Sequence, residues 1–138
     1  MLSKQTEEQI RELLDRYLSL YGKKDLDTIL SLFSEDCMGI GTGKDEIIRN
    51  RDELKEQLLR DFTQVNELAI SMDTCIIRAE GTICWVMGDL TFTADGTIIP
   101  CRCTMVLRGT GHRWEIVQMH ISVPAHDQAG GRSYSDQL

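Results

Sequence analysis

The hydrophobic pattern of this chain changes period once, near Glu67, and that single change limits the folds open to it. Before it, Ile10, Leu13, Leu14, Tyr17, Leu18 and Tyr21 fall on one face of a helix. Gly22 is placed to end that helix. Asp25 is the natural N-cap of a second, short helix carrying Leu26, Ile29, Leu30 and Phe33, and helices this short persist only by packing. Cys37–Ile40 reads as a brief strand and Gly41–Arg51 as an irregular loop. A third helix, capped by Asn50 or Asp52, turns Leu54, Leu58, Leu59 and Phe62 inward.

After Glu67 the alternation is that of strands. Leu68, Ile70 and Met72 alternate with polar residues, Thr82–Thr93 forms a long run, Asp95-Gly96 is a hairpin signal, and two further runs flank Gly109-Thr110-Gly111. Three helices followed by a four-strand antiparallel meander predict an α+β domain with helices covering one sheet face. Gly88 and Pro100 suggest bulges or bends, the means by which a sheet curls around a cavity. With 138 residues the expectation is one domain over 1–124, followed by a tail over 125–138 that is either loose or a docking arm.

A net charge of −7 with no segregated basic patch argues against nucleic-acid or membrane-surface partners. No run approaches the length of a spanning helix and the first residues lack a secretory pattern, so a cytoplasmic location is expected. Cys37, Cys75, Cys84, Cys101 and Cys103 are then read as reduced thiols in the core.

Two motifs do not survive inspection. Gly39-Ile40-Gly41-Thr42-Gly43-Lys44-Asp45 looks like a phosphate loop, but Met38 stands where the first glycine belongs and Asp45 replaces the hydroxyl residue. Cys101-Arg102-Cys103 has no second pair or spaced histidines to complete a metal set. Neither a metal nor a cofactor is expected.

Taken together, Tyr17, Asp25-Leu26-Asp27, Leu32-Phe33, the Gly41–Glu46 loop, Arg102–Val106 and the strand from Trp114 to Ser122 resemble the nuclear transport factor 2-like (NTF2-like) superfamily, and within it the SnoaL-like proteins. The resemblance runs from Glu7 to Pro124. It implies a cone: three N-terminal helices packed in a strongly curved antiparallel sheet, open at one end to a pocket and homodimeric through the outer sheet face. Relatives tend to have glycine where Asn50 stands, and asparagine tolerates the positive φ of such a turn.

The related association domain of calmodulin-dependent kinases ends in a similar strand, which implies that Glu115, Val117, Met119, Ile121 and Val123 face the cavity, and Trp114, Ile116, Gln118, His120 and Ser122 the outside. Its cavity arginines fall near Met87, Met105 and Ile121, all apolar here. The ligand-binding set expected on this basis is Tyr17, Trp85, Met87, Asp89, Cys103, Met105, Met119 and Ile121, a soft wall suited to an apolar or amphipathic small molecule. A simply packed core is the alternative.

For catalysis the candidates are Asp89, a carboxylate sharing parity with Trp85 and Met87, and Tyr17, which matches the tyrosine that ketosteroid isomerases of this superfamily use on an enolate oxygen. Gly41 stands where those enzymes carry their basic aspartate, so the leading expectation is binding without catalysis. Glu46 is expected either at the cone mouth or on the surface. An isomerase, cyclase or dehydratase using Asp89 and Tyr17 is one alternative; a dimerisation or sensory accessory module with a vestigial pocket is another.

Overall fold

The computed structural model describes residues 1–136. Helix α1 (Lys4–Gly22) starts where the Ser3 hydroxyl accepts the Thr6 amide, and it buries Ile10, Leu13, Leu14, Tyr17 and Tyr21. Chain reversal falls two residues past its end, at Lys24, whose φ is 57°. Asp25 caps α2 (Leu26–Leu30) by accepting the Thr28 amide, as its position predicted. Phe33, expected on that helix, instead opens strand β1 (Phe33–Ile40). The loop beyond contains a two-residue strand, β2 (Ile47–Ile48).

Asn50 caps α3 (Arg51–Gln64), accepting the Glu53 amide at 2.9 Å. Its φ of −161° is extended, so its value here is the side-chain oxygen rather than tolerance of a left-handed turn. Leu59 is exposed, and the inward position on this helix face goes to Gln57.

Strands β3 (Leu68–Glu80), β4 (Ile83–Ala94), β5 (Thr97–Gly109) and β6 (Trp114–Ser122) form the meander. Asp95 and Gly96 turn between β4 and β5 with φ of 49° and 83°. The Asp95 carboxylate also accepts the Asn66 and Glu67 amides, fastening the entry to β3. The sheet has six strands in the order β2-β1-β6-β5-β4-β3, with β1 parallel to β6 and the other neighbours antiparallel. It is curved and unclosed, and the three helices pack within it: the expected α+β cone.

Besides a register shift between Phe33 and Met38 of β1, two irregularities within the meander set its shape. The β4–β5 ladder runs through Gly88 and Pro100 without a shift, so neither is a bulge in that ladder. The irregularity beside Gly88 lies in the neighbouring strand, between Met72 and Cys75 of β3. The other, a register shift between Val106 and Leu107 of β5, leaves Val117 of β6 without a partner.

Beneath α1 the inner sheet face contributes Cys84, Val86, Leu90, Cys103, Met105, Leu107 and Ile116 to one buried core. All five cysteines are free. Burial raises the Cys37 and Cys103 thiols to about 11, as suits small core residues rather than nucleophiles. The described part of the tail is tied to itself: the Ser135 hydroxyl and the Asp136 amide both donate to Asp127. Residues 137–138, the end of the expected tail, lie outside the described residues. Among the described residues no helix is long and apolar enough to cross a membrane.

Candidate functional site

The cone holds a cavity of about 340 Å³ between α1, α3, β1 and the Thr97-side ends of β4 and β5. Phe33, Leu54, Leu58, Phe92, Met119 and Ile121 line its walls, and exposed Met38, Ile40 and Ile99 lie along its open side. Tyr17, Met119 and Ile121 line this cavity, as expected from sequence.

The other expected lining residues do not. Trp85 and Met87 are 45% and 56% exposed on the outer sheet face, and Asp89 is exposed beside them with its carboxylate accepting the Thr74 hydroxyl at 2.8 Å. The phase of β4 is therefore the reverse of the one expected: Cys84, Val86, Leu90 and Phe92 face inward. Both faces of this strand carry apolar residues, so alternation alone does not orient it. Asp89 cannot serve as a base inside the cone. Cys103 and Met105 do face inward but are packed in the core under α1, away from the open space.

Trp114 and Ile116 also differ from the expectation that they face outward: Ile116 has no solvent exposure and belongs to the core. The unpaired Val117 switches the phase of β6, so Trp114 turns toward the helices and its indole N–H donates to Gln9 Oε1 at 3.0 Å, while His120 remains exposed outside.

Sequence reading overlooked the polar end of the cavity. Gln57, Leu58, Asp61 and Phe62 of α3 lie on the helix stripe that begins at Leu54, which places a carboxylate and an amide where apolar residues normally stand. Asp61 Oδ2 accepts the Tyr21 hydroxyl at 2.9 Å, and Oδ1 accepts the Gln57 amide at 2.8 Å. The same amide nitrogen lies 3.3 Å from Glu46 Oε1, and Glu46 Oε2 accepts the Gly43 amide at 3.0 Å.

Glu46 reaches this point because Gly41 has no side chain: a Cβ at 41 would stand 2.1 Å from Glu46 Oε2. The loop carboxylate thus occupies the space that a side chain on β1 would fill. Glu46 is half-buried and lines the cavity, so of the two expectations for it the surface position is the one not realised.

Burial raises the Asp61 carboxyl above its ordinary range, and the nearby Glu46 charge raises it further; the Gln57 and Tyr21 hydrogen bonds oppose both. Burial, then the Asp61 charge, keeps the Tyr17 and Tyr21 hydroxyls protonated. Tyr17 is only 3% exposed, yet its hydroxyl has no hydrogen-bond partner among the described residues and borders the cavity. A hydroxyl in this state has both its donor and its acceptor capacity open to a polar group entering the cavity. No cluster of three or more metal-type ligands occurs among the described residues.

A family model described as the SnoaL-like domain matches residues 10–126. No curated protein matches the chain. Among solved structures, a nuclear transport factor 2-like protein of unknown function from Pseudomonas putida KT2440 superposes with a TM-score of 0.84 at 14% identity, covering 100% of this chain and 99% of that one. A protein from Streptomyces avermitilis, provisionally named a dehydratase of the same fold family, gives 0.81 at 14% identity over 89% and 99% of the two chains. A third, from Novosphingobium aromaticivorans DSM and provisionally named an aromatic ring hydroxylase, gives 0.82 at 16% identity over 91% and 93%. At these identities the likeness speaks for the fold alone.

Proposed function

The chain belongs to the SnoaL-like domain family, and from that premise we propose that it binds an apolar or amphipathic small molecule in its cone. One observation carries this reading: an open cavity of about 340 Å³, walled by apolar side chains, is bordered by Tyr17, whose hydroxyl makes no hydrogen bond among the described residues. Core residues that merely filled the cone would leave no such space.

The test uses a neutral fluorescent probe, N-phenylnaphthylamine. It is expected to bind with one-to-one stoichiometry, and the double variant Cys101→Trp/Met119→Trp, which places two indoles in the cavity, is expected to weaken binding at least about tenfold, in keeping with the loss of a buried apolar contact surface. Equal binding by the double variant would place the probe elsewhere.

A second reading, an enzyme of isomerase, cyclase or dehydratase type, is favoured by Asp61: a desolvated carboxyl bonded to a tyrosine is a sensible acid–base group. In that reading Asp61 takes the part that sequence gave to Asp89.

The same reading includes a homodimer through the outer sheet face. Ile76 and Met87 are cross-strand partners there, Trp85 stands beside them, and Asp89 and Arg102 are cross-strand partners of opposite charge. Wild-type protein should elute as a dimer with light-scattering detection and Trp85→Glu as a monomer. A monomeric wild type sinks this part of the proposal without touching the cavity.

A further inference from the structure

We infer that the ligand carries a protonated amine, bound at the polar end of the cavity by Asp61, Glu46 and the Tyr17 hydroxyl; this rests on the cavity-binding reading above. Three observations converge on it. First, the only charged residues lining the cavity among the described residues are Glu46 and Asp61, both acidic; no lysine, arginine or histidine lines it. Two carboxylates sharing a partly buried site repel each other, and a cation placed between them relieves that repulsion.

Second, the protein's own neutralisation is incomplete. One Gln57 amide nitrogen serves both carboxylates, so they are close enough together for one small cation to reach both. The nearest guanidinium, Arg60, lies behind Gln57: it donates to Gln57 Oε1 and faces Asp45, with half of its side chain in solvent. Its charge still lowers the Asp61 carboxyl, but the guanidinium itself does not line the cavity.

Third, Tyr17 is 3% exposed and borders the cavity, and its hydroxyl makes no hydrogen bond among the described residues. A primary ammonium has three N–H donors, and Asp61, Glu46 and the Tyr17 oxygen supply three acceptors. The rings of Tyr17, Tyr21, Phe33 and Phe92 on the same cavity wall suit the neighbourhood of a cation. The apolar remainder of the cavity then takes the ligand's hydrocarbon body. An anionic ligand would meet two like charges, and a neutral alcohol would leave both carboxylates as they are.

The experiment compares three probes of one shape by calorimetry: naphthylethylamine, naphthylethanol and naphthylacetate. The amine is expected to bind at least about tenfold more tightly than the alcohol, as a charge-assisted hydrogen bond allows, with naphthylacetate weakest. Asp61→Asn and Glu46→Gln are each expected to reduce the amine's advantage over the alcohol, and far-ultraviolet circular dichroism of each variant shows whether its cone is intact. Should either variant lose N-phenylnaphthylamine binding, the wild-type ranking of the three probes decides alone. Equal or tighter binding of the alcohol in the wild type, or an undiminished amine advantage in both variants with intact cones, overturns the inference. If N-phenylnaphthylamine binds and the amine has no advantage, only the ligand class is wrong; if neither it nor any of the three probes binds, the cavity reading falls with it.

Discussion

Replacing Ile116 with alanine is expected to lower the free energy of unfolding by about 2–5 kcal/mol, the range for truncating a fully buried branched side chain. Ile116 has no solvent exposure and sits where three strands meet: it is paired with Phe33 of β1 on one side and Leu107 of β5 on the other. Its amide also donates to the Leu32 carbonyl at 2.8 Å, so the residue anchors the exit of α2 as well as the sheet. Removing the side chain leaves a void under α1 that rigid strands on both sides cannot close. Urea titration checks this: the midpoint should fall with little change in slope. A loss under about 1 kcal/mol would mean that the seam repacks freely, against the usual behaviour of tightly packed interiors.

Gly88→Ala should be nearly as damaging, by about 1–3 kcal/mol, for the opposite reason of overcrowding. A Cβ at Gly88 would stand 2.5 Å from the Thr74 carbonyl oxygen and 3.2 Å from Met72 Sδ. The methionine can move; the carbonyl belongs to the irregular turn of β3 between Met72 and Cys75, and shifting it means shifting the strand. Gly81→Ala is the control. It has open space around it, and its φ of 57° costs an alanine roughly 1 kcal/mol of strain. If the two variants had equal midpoints, the crowding at Gly88 would have no consequence.

These two sites show how far sequence reading reached. Asp25 and Asn50 were recognisable as helix caps and Asp95-Gly96 as a turn, because each acts through hydrogen bonds or φ preferences local to the chain. The order of elements followed from the change in period, and the cone from the resemblance. Side-chain phase was harder. In β4 the larger apolar residues, Trp85 and Met87, lie outside and the smaller Cys84 and Val86 inside, so ranking by hydrophobicity selects the wrong face. In β6 the unpaired Val117 separates Trp114 from His120, and no residue type there announces it.

The polar end of the site was hidden for another reason. Asp61 reads as one more charge on a charged helix until its spacing from Leu54 and Leu58 is noticed. A carboxylate on a core-facing stripe was the available signal. The part played by Glu46 could not be read at all, since it depends on a loop folding back over a glycine.

The parallel seam between β1 and β6 has a consequence for how the molecule assembles. Every other major strand contact joins neighbours in sequence through a short turn, whereas Phe33 must find Ile116 across most of the chain. The meander can form early from local encounters, but this seam carries a long loop-closure entropy and rewards it only once β6 is already in place. Because β1 is also a wall of the cavity, this topology places the cavity late in folding: a chain that lacks the last pairing has its meander but no enclosed space.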